Sequence, residues 1–270
     1  TSEVTGGATP LSRYNRVLDT FDNKIYNSNI KNYSSRNGFT LAEVLITLGI
    51  IGVVAALTIP TLVSKYKEKV LVSQVKQAHS QLINAIQLYV AKNNCANMLC
   101  LFDTKKTSDE VAAELATVIK SAKICKAADA AEKYCKYYGL KDNTPSYKVD
   151  GVYASGDGMT TAGRIYLPNG IIIRVTQRPQ CVTYTDYPVR DENGYLTGET
   201  IQLVSHNCAH VYVDVNNLAG PNQFGADVYR YNVLDSGKIE PSDKKLLNNA
   251  LLYNKIEYTP YEIGDPVEED

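Results

Sequence analysis

The longest apolar stretch of the chain runs from Phe39 to Ile59, and Glu43 is the only ionisable side chain among these 21 residues. A helix rises about 1.5 Å per residue, so this segment spans roughly 30 Å, the thickness of a bilayer's hydrocarbon core. The alternative is a buried core helix. Length and composition favour a membrane-spanning helix, in which a carboxylate such as Glu43 indicates a functional site.

An amphipathic pattern follows the apolar stretch. Pro60 is expected to kink or loosen the helix without ending it. Beyond Pro60, apolar residues recur at mostly helical spacing among lysines and predict a helix that continues to about Lys92. These apolar positions are Tyr66, Val70, Val75, Leu82, Ile86 and Tyr89. They are expected to pack on the rest of the domain, whereas His79 is expected on the helix surface.

Two shorter helices are predicted after this long one. Thr107, in a capping box, or else Ser108 is expected to cap a helix from Val111 to about Lys120. A second helix is predicted from Asp129 to Tyr138, with Gly139 as its C-terminal stop.

The remainder of the chain has the pattern of β-structure. Arg164–Leu167 and Ile171–Val175 flank turn residues and predict a hairpin. Further strands are predicted at Val182–Thr185, Ile201–Ser205, Ala209–Val215, Asp227–Leu234 and Lys238–Glu240. A short helix is expected at Asp243–Lys255. The predicted fold class is α+β, with a long N-terminal helix packed on an antiparallel β-sheet.

The junction before the apolar helix carries a recognisable motif, formed by Gly38, Phe39, Thr40, Leu41 and Glu43. It resembles the motif of the type IV pilin family, which includes the pseudopilins of type II secretion. The resemblance implies that prepilin peptidase cleaves after Gly38 and that Phe39 becomes a methylated N-terminus. It also implies that Glu43 pairs with the terminal amine of a neighbouring subunit, since each charge relieves the cost of burying the other.

These features predict three regions: a leader at 1–38, a transmembrane and amphipathic helix at 39–93, and an extracytoplasmic head at 94–270. Residues 1–38 have five basic and three acidic side chains, a net charge of +2, which leaves −3 for the rest of a chain whose net charge is −1. The positive flank favours a cytoplasmic N-terminus. The predicted location is the bacterial inner membrane, in a single pass with the head outside, and then a filament in the periplasm or on the cell surface.

Six cysteines lie after the predicted span, and an even count there predicts disulfides in an oxidising compartment. Sequence allows many pairings among them. Local spacing favours Cys95–Cys100, Cys125–Cys135 and Cys181–Cys208. The alternatives are buried free thiols and, less favoured because no Cys-x-x-Cys pair occurs, a zinc site.

The residues between Asp214 and Asp227 form the most patterned part of the head. They resemble a loop of some pilin-like proteins, and related pseudopilin heads hold calcium at a comparable position. Asp214, Asn216 and Asp227 offer the oxygen ligands that Ca²⁺ prefers. The alternative is a turn in which Asn and Asp bind their own backbone. His206, Cys208 and His210 share one strand face and form a weaker candidate for a soft metal.

The sequence contains none of the common motifs for hydrolases, metalloproteases, nucleotide binding or dinucleotide binding, so an enzyme is not expected. The near-neutral charge gives no sign of nucleic-acid binding. We therefore expect a structural subunit of a pilin-like filament, either a type II secretion pseudopilus or a type IV pilus. Its expected partners are prepilin peptidase, other pilin or pseudopilin subunits and the inner membrane, with no cofactor beyond the candidate calcium. The alternative is a single-pass membrane-anchored binding domain that does not polymerise.

Overall fold

A computed structural model describes residues 38–131, 135–143, 148–149, 152–153, 157–192 and 195–264. Residues 1–37 of the leader predicted at 1–38 lie outside the described residues. The chain divides into two compact units, Thr1–Ile59 and Pro60–Asp270. The division falls inside the long helix, so the second half of that helix belongs to the same unit as the head.

One continuous helix, α1 (Leu41–Lys92), contains both the predicted span and the predicted amphipathic segment. Pro60 lies within it and does not end it, as expected. In the first unit, every side chain from Leu41 to Val54 is exposed. This part of α1 buries nothing within its own unit.

In the second unit, α1 buries one face at helical spacing, formed by Val72, Val75, Ala78, Leu82, Ala85, Ile86 and Tyr89. The prediction was wrong for Tyr66 and Val70, which are 66% and 37% exposed. The hydrophobic core of the head first involves α1 at Leu71, so apolar residues before that point find no partner in the core.

The described residues after α1 contain two α-helices and twelve strands, together with short 3₁₀-helices at Met98–Cys100, Ala127–Ala131 and Asn217–Ala219. The helices are α2 (Ser108–Ala116) and α3 (Lys244–Tyr253). The strands are β1 (Lys123–Cys125), β2 (Tyr138–Leu140), β3 (Lys148–Val149), β4 (Val152–Tyr153), β5 (Asp157–Met159), β6 (Arg164–Tyr166), β7 (Ile172–Gln177), β8 (Thr183–Arg190), β9 (Leu196–Ser205), β10 (Asn207–Asp214), β11 (Val228–Leu234) and β12 (Ile239–Pro241).

An antiparallel sheet of six strands forms the centre of the head, in the order β1-β6-β7-β10-β11-β12. The predicted β6–β7 hairpin is confirmed, with Ile165 opposite Ile173. Three separate two-stranded ladders join β2 to β5, β3 to β4 and β8 to β9. The α+β prediction, with a long helix and an antiparallel sheet, is therefore confirmed.

Side chains alternate between the two faces along each strand of the central sheet. Each face packs on its own cluster of buried residues. Val211 and Val213 of β10 face the main core, which also contains the buried residues of α1 and α2. Tyr212, between them, faces a smaller cluster with Leu140 of β2 and Met159 of β5. The small β2–β5 ladder thus contributes to the core on the second face.

The two predicted connecting helices have different outcomes. The capping box at Thr107 is confirmed, because the Thr107 hydroxyl accepts from the Glu110 N–H and the Glu110 carboxylate accepts from the Thr107 N–H. The helix that follows ends at Ala116 rather than Lys120, because the chain turns there into β1, which pairs with β6.

The predicted helix from Asp129 to Tyr138 is wrong where the structure describes it. A 3₁₀-helix covers Ala127–Ala131, residues 132–134 lie outside the described residues, and β2 begins at Tyr138. Gly139, the predicted helix stop, lies inside β2 opposite Gly158. Pairing with β5 and burial of β2 outweigh the local helical pattern.

Candidate assembly segment and head loop

The residues around the predicted processing site precede α1 directly. Gly38, Phe39 and Thr40 are exposed, Phe39 to 87%. Glu43 lies in the first turn of α1, where its Oε2 accepts hydrogen bonds from the Thr40 N–H (2.8 Å) and the Thr40 hydroxyl (3.0 Å). The Thr40 hydroxyl accepts in turn from the Glu43 N–H (3.2 Å).

This reciprocal arrangement is a capping box that satisfies helix N–H groups which otherwise lack partners. It also holds the Glu43 carboxylate beside Thr40, one residue from the predicted new N-terminus at Phe39. Within the described ranges, no lysine or arginine forms an ion pair with Glu43. The segment therefore presents an exposed carboxylate that is able to accept an external cation.

The apolar surface of α1 continues without a polar face from Leu41 to Ile59. Its large side chains are exposed, for example Leu45 to 61%, Ile51 to 63% and Leu57 to 72%. The helix is long and apolar enough to cross a membrane. A helix that is apolar on all sides needs surroundings that bury it, either lipid or other helices.

The head loop brings together all three candidate calcium ligands, because Asn216 forms hydrogen bonds to Asp214 through its backbone N–H and to Asp227 through its side chain. Asp214 ends β10, Asp227 immediately precedes β11, and both side chains are fully buried. Burial, followed by repulsion from Asp227, raises the pKa of Asp214 to about 7. Burial also raises the pKa of Asp227, although backbone N–H donors at Gln223 and Asn222 oppose this effect.

Every carboxylate oxygen of this pair accepts a hydrogen bond. Asp214 Oδ1 accepts from the N–H groups of Asn216 and Asn217, and its Oδ2 accepts from the Tyr138 hydroxyl at 2.7 Å. The two oxygens of Asp227 accept from the backbone N–H groups of residues 222 and 223, at 2.9 and 2.8 Å. The loop thus binds its own backbone, as the alternative interpretation expected.

This donor set does not fit an open calcium site, because N–H and O–H hydrogens occupy the carboxylate oxygens that a cation would need. Buried amide oxygens without a hydrogen-bond donor do lie in the loop, at Asn216, Asn222 and Gln223. Within the described ranges, no group of three or more His, Cys, Asp or Glu residues could hold a metal ion. Calcium binding through Asp214, Asn216 and Asp227 stays a prediction.

The second candidate metal set is engaged in other contacts. Cys208 forms a disulfide with Cys181. His206 Nδ1 lies 2.7 Å from a carboxylate oxygen of Asp235, and His210 Nδ1 lies 2.9 Å from the side-chain oxygen of Asn232. The geometry therefore gives no support to a soft-metal site in this strand.

The six cysteines form three disulfides, Cys95–Cys100, Cys125–Cys135 and Cys181–Cys208. These are the pairs that local spacing favoured. Cys95–Cys100 and Cys125–Cys135 close short loops of 5 and 10 residues in sequence separation, whereas Cys181–Cys208, with a separation of 27, closes the base of the β8–β9 hairpin. Free thiols and a zinc site are both excluded for these residues.

Sequence reasoning missed two buried arginines and a histidine contact. Arg164 and Arg174 lie opposite each other in the β6–β7 hairpin and are 0% and 8% exposed, over the rings of Tyr138 and Tyr212. His79, expected on the helix surface, is half-buried with its Nδ1 2.9 Å from the Tyr231 hydroxyl. Both arginines lie next to apolar residues in their strands, and this is the sequence feature that could have indicated their burial.

Together, the exposed apolar helix, its N-terminal carboxylate and the disulfide-linked α+β head are consistent with a protein that is anchored in a membrane by this helix. A search against known protein families matches residues 33–59 to the prokaryotic N-terminal methylation motif. The chain thus carries the prepilin-type motif, the hallmark of type IV pilins and pseudopilins. Searches of curated proteins and of solved structures find no match to the chain.

Proposed function

We propose that this protein is a structural subunit of a pilin-like filament, processed by prepilin peptidase between Gly38 and Phe39. The observation that carries the proposal is the methylation motif at 33–59, placed at the start of an apolar helix whose side chains are exposed. The helix anchors the subunit in the inner membrane before assembly. The head then lies on the outer side, where its disulfides form.

Assembly follows from the same two features. Bundling the apolar segment with the equivalent segments of neighbours keeps its side chains out of water after they leave the lipid. Cleavage creates a positive amine at Phe39, and the Glu43 carboxylate of a neighbour neutralises it. Either charge left alone in an apolar bundle costs a few kcal/mol, so the pair favours the assembled register over misaligned ones.

Two kinds of filament fit this proposal, a type II secretion pseudopilus and a type IV pilus. The resemblance of the Asp214–Asp227 loop to that of some pilin-like heads favours the pseudopilus. The alternative function, a membrane-anchored binding domain without polymerisation, requires neither cleavage nor the carboxylate at position 43.

The test is the N-terminal mass of the protein isolated from its native membranes and from sheared surface material. We expect a chain that begins at Phe39 and carries one additional methyl group. Recovery in the sheared fraction identifies a pilus subunit, and processed protein confined to membranes identifies a pseudopilin. An intact N-terminal leader overturns the proposal.

Variants of Gly38 provide the matched control. Gly38→Ala is expected to retain cleavage because alanine is also small, whereas Gly38→Leu is expected to block it. Equal processing of both variants would contradict cleavage at this junction.

A further inference from the structure

The β8–β9 hairpin forms an arm with little burial of its own. Its strands pair only with each other among the described residues. Both faces expose large apolar side chains, namely Tyr184, Tyr187, Ile201, Leu203 and Val204. An isolated two-stranded hairpin is at best marginally stable in water, so such an arm gains stability from an additional strand.

The base of the arm is fixed to the core of the head. The Cys181–Cys208 disulfide closes it, and Cys208 is fully buried in β10. Arg178 donates a hydrogen bond to the Ser205 hydroxyl at 3.3 Å, where β9 ends. The arm therefore leaves the head at a fixed point, which suits it to present a surface to a partner.

The two outer edges of the arm differ. β8 contains Pro188, which cannot donate to a further strand. The register shift between Pro188 and Arg190 places two extra residues in β9, between Leu196 and Thr200, so only the part of β9 after this shift is regular. β9 has neither proline nor register shift over Thr200–Ser205, and that stretch carries no charge. An exposed apolar edge without such interruptions is a template for pairing with another strand.

We propose that β9 pairs with β9 of a second copy of this chain, in antiparallel register about Gln202. The register places Gln202 opposite its own counterpart and Ile201 opposite Leu203 of the second copy. Two such arms form one four-stranded sheet. Its Ile201–Leu203 face then carries apolar residues of both chains side by side, which is the kind of cross-strand contact that stabilises sheets.

Charge complementarity supports a second copy as the occupant. In this register Glu199, the first residue before the regular stretch Thr200–Ser205, comes nearest to Ser205 of the second chain rather than to another Glu199. Ser205 is the residue that Arg178 contacts, so each Glu199 approaches an arginine across the interface. The acidic tip residues Asp191 and Glu192 of the two arms point in opposite directions and do not meet.

The contact is two-fold symmetric, so it joins two chains and does not extend into a filament by itself. It therefore goes beyond the proposed function and does not depend on it. The contact can be measured in a Glu43→Ala background, where failure to polymerise leaves the arm unchanged.

Cysteine cross-linking of the full-length chain in membranes tests the register. Directly opposed residues of antiparallel strands have Cα atoms about 4.5–5.5 Å apart, within the range of a disulfide. We expect Gln202→Cys to give a covalent dimer on mild oxidation. The matched control is Asp186→Cys, whose position pairs with Gln202 across the arm but lies on the interrupted edge. No dimer from Gln202→Cys, or equal dimer from both variants, overturns the proposal.

A charge exchange tests the pairing partners. In the Gln202→Cys background, Ile201→Lys or Leu203→Glu alone is expected to lower cross-linking by about tenfold, because each places two charges opposite apolar side chains. Co-expression of the two variants, one of them carrying a size tag, places the introduced lysine opposite the introduced glutamate. We expect cross-linking of the mixed dimer to return to the level seen when both chains carry Gln202→Cys alone. A mixture that cross-links no better than either variant alone overturns the register.

Discussion

The two halves of α1 are one continuous helix with opposite relations to the rest of the chain. Before Pro60, Leu48 and its apolar neighbours are exposed, Leu48 to 60%. After Pro60, Leu82 is fully buried in the core of the head. The more hydrophobic half is thus the one without core partners among the residues that the structure describes. Hydrophobicity alone does not say where a residue is buried, and the first half requires surroundings supplied by lipid or other subunits.

The largest effect is expected from removing the Glu43 carboxylate in the first half of α1, and it concerns filament assembly. Glu43→Ala is expected to reduce assembled filament by at least about tenfold, because an N-terminal ammonium without a partner in an apolar bundle costs a few kcal/mol. The head is expected to fold unchanged. The measurement is the amount of assembled protein, with circular dichroism as the check on folding.

Thr47→Val is the matched control for this substitution, because the Thr47 hydroxyl donates to backbone oxygens of α1 itself, those of Glu43 and Val44. It is expected to assemble normally. Normal filaments from Glu43→Ala would contradict the assembly role of this carboxylate.

A matched pair of leucines tests the comparison of the two halves directly. Leu82→Ala is expected to lower the free energy of unfolding of the head by about 2–5 kcal/mol, because it opens a cavity in a packed core. Leu48→Ala, the same change on the exposed segment, is expected to alter it by less than about 0.5 kcal/mol. Denaturant unfolding of the full chain in detergent measures both. Equal effects would contradict the division of α1 into two environments.

The buried carboxylate pair predicts a pH dependence of head stability. Because the pKa of Asp214 is raised in the folded state to about 7, the unfolded chain loses its proton first as pH rises from about 4 to 7. The free energy of unfolding therefore falls across that window, by at most about 1.4 kcal/mol per pH unit for one proton. Asp214→Asn is expected to flatten this dependence and to be the more stable variant at pH 8. If the free energy of unfolding of Asp214→Asn still falls as steeply with pH, another titrating group is responsible.

The same variant tests calcium. If the loop binds Ca²⁺, the ion should raise the melting temperature of the unsubstituted protein and leave Asp214→Asn unchanged. We expect no increase from the conformation described, since N–H and O–H donors occupy the carboxylate oxygens.

The smallest expected effect concerns the capping box of α2. Thr107→Ala removes the hydroxyl that accepts from the Glu110 N–H and is expected to destabilise the head by about 1 kcal/mol. Thr107→Ser retains a hydroxyl and is expected to lose much less. Unfolding of both variants under the same conditions measures the difference, and equal losses would assign the effect to the methyl group instead.

Much of the local structure could be predicted because its causes are local. The continuous α1, the capping box at Thr107 and the β6–β7 hairpin each follow from spacing within a few residues. The three disulfides join cysteines that are close in sequence. The methylation motif was readable for the same reason, since Gly38 to Glu43 are consecutive positions.

Tertiary structure decided what depends on distant residues. Val75 rather than Tyr66 is buried in the main core of the head, because α1 meets that core only from Leu71 onwards. Tyr138 enters a strand because Met159 lies beside it, against the helical pattern of its own segment.

The candidate sites divide in the same way. The sequence by itself determined the apolar segment and its methylation motif, because both are patterns of consecutive residues and do not depend on how the rest of the chain folds. It did not determine that Asp214 and Asp227 share a buried pocket of N–H donors, or that the β8–β9 arm leaves the Thr200–Ser205 edge of β9 exposed. Both depend on which strands meet, and burial, pKa and edge exposure exist only after the strands have paired.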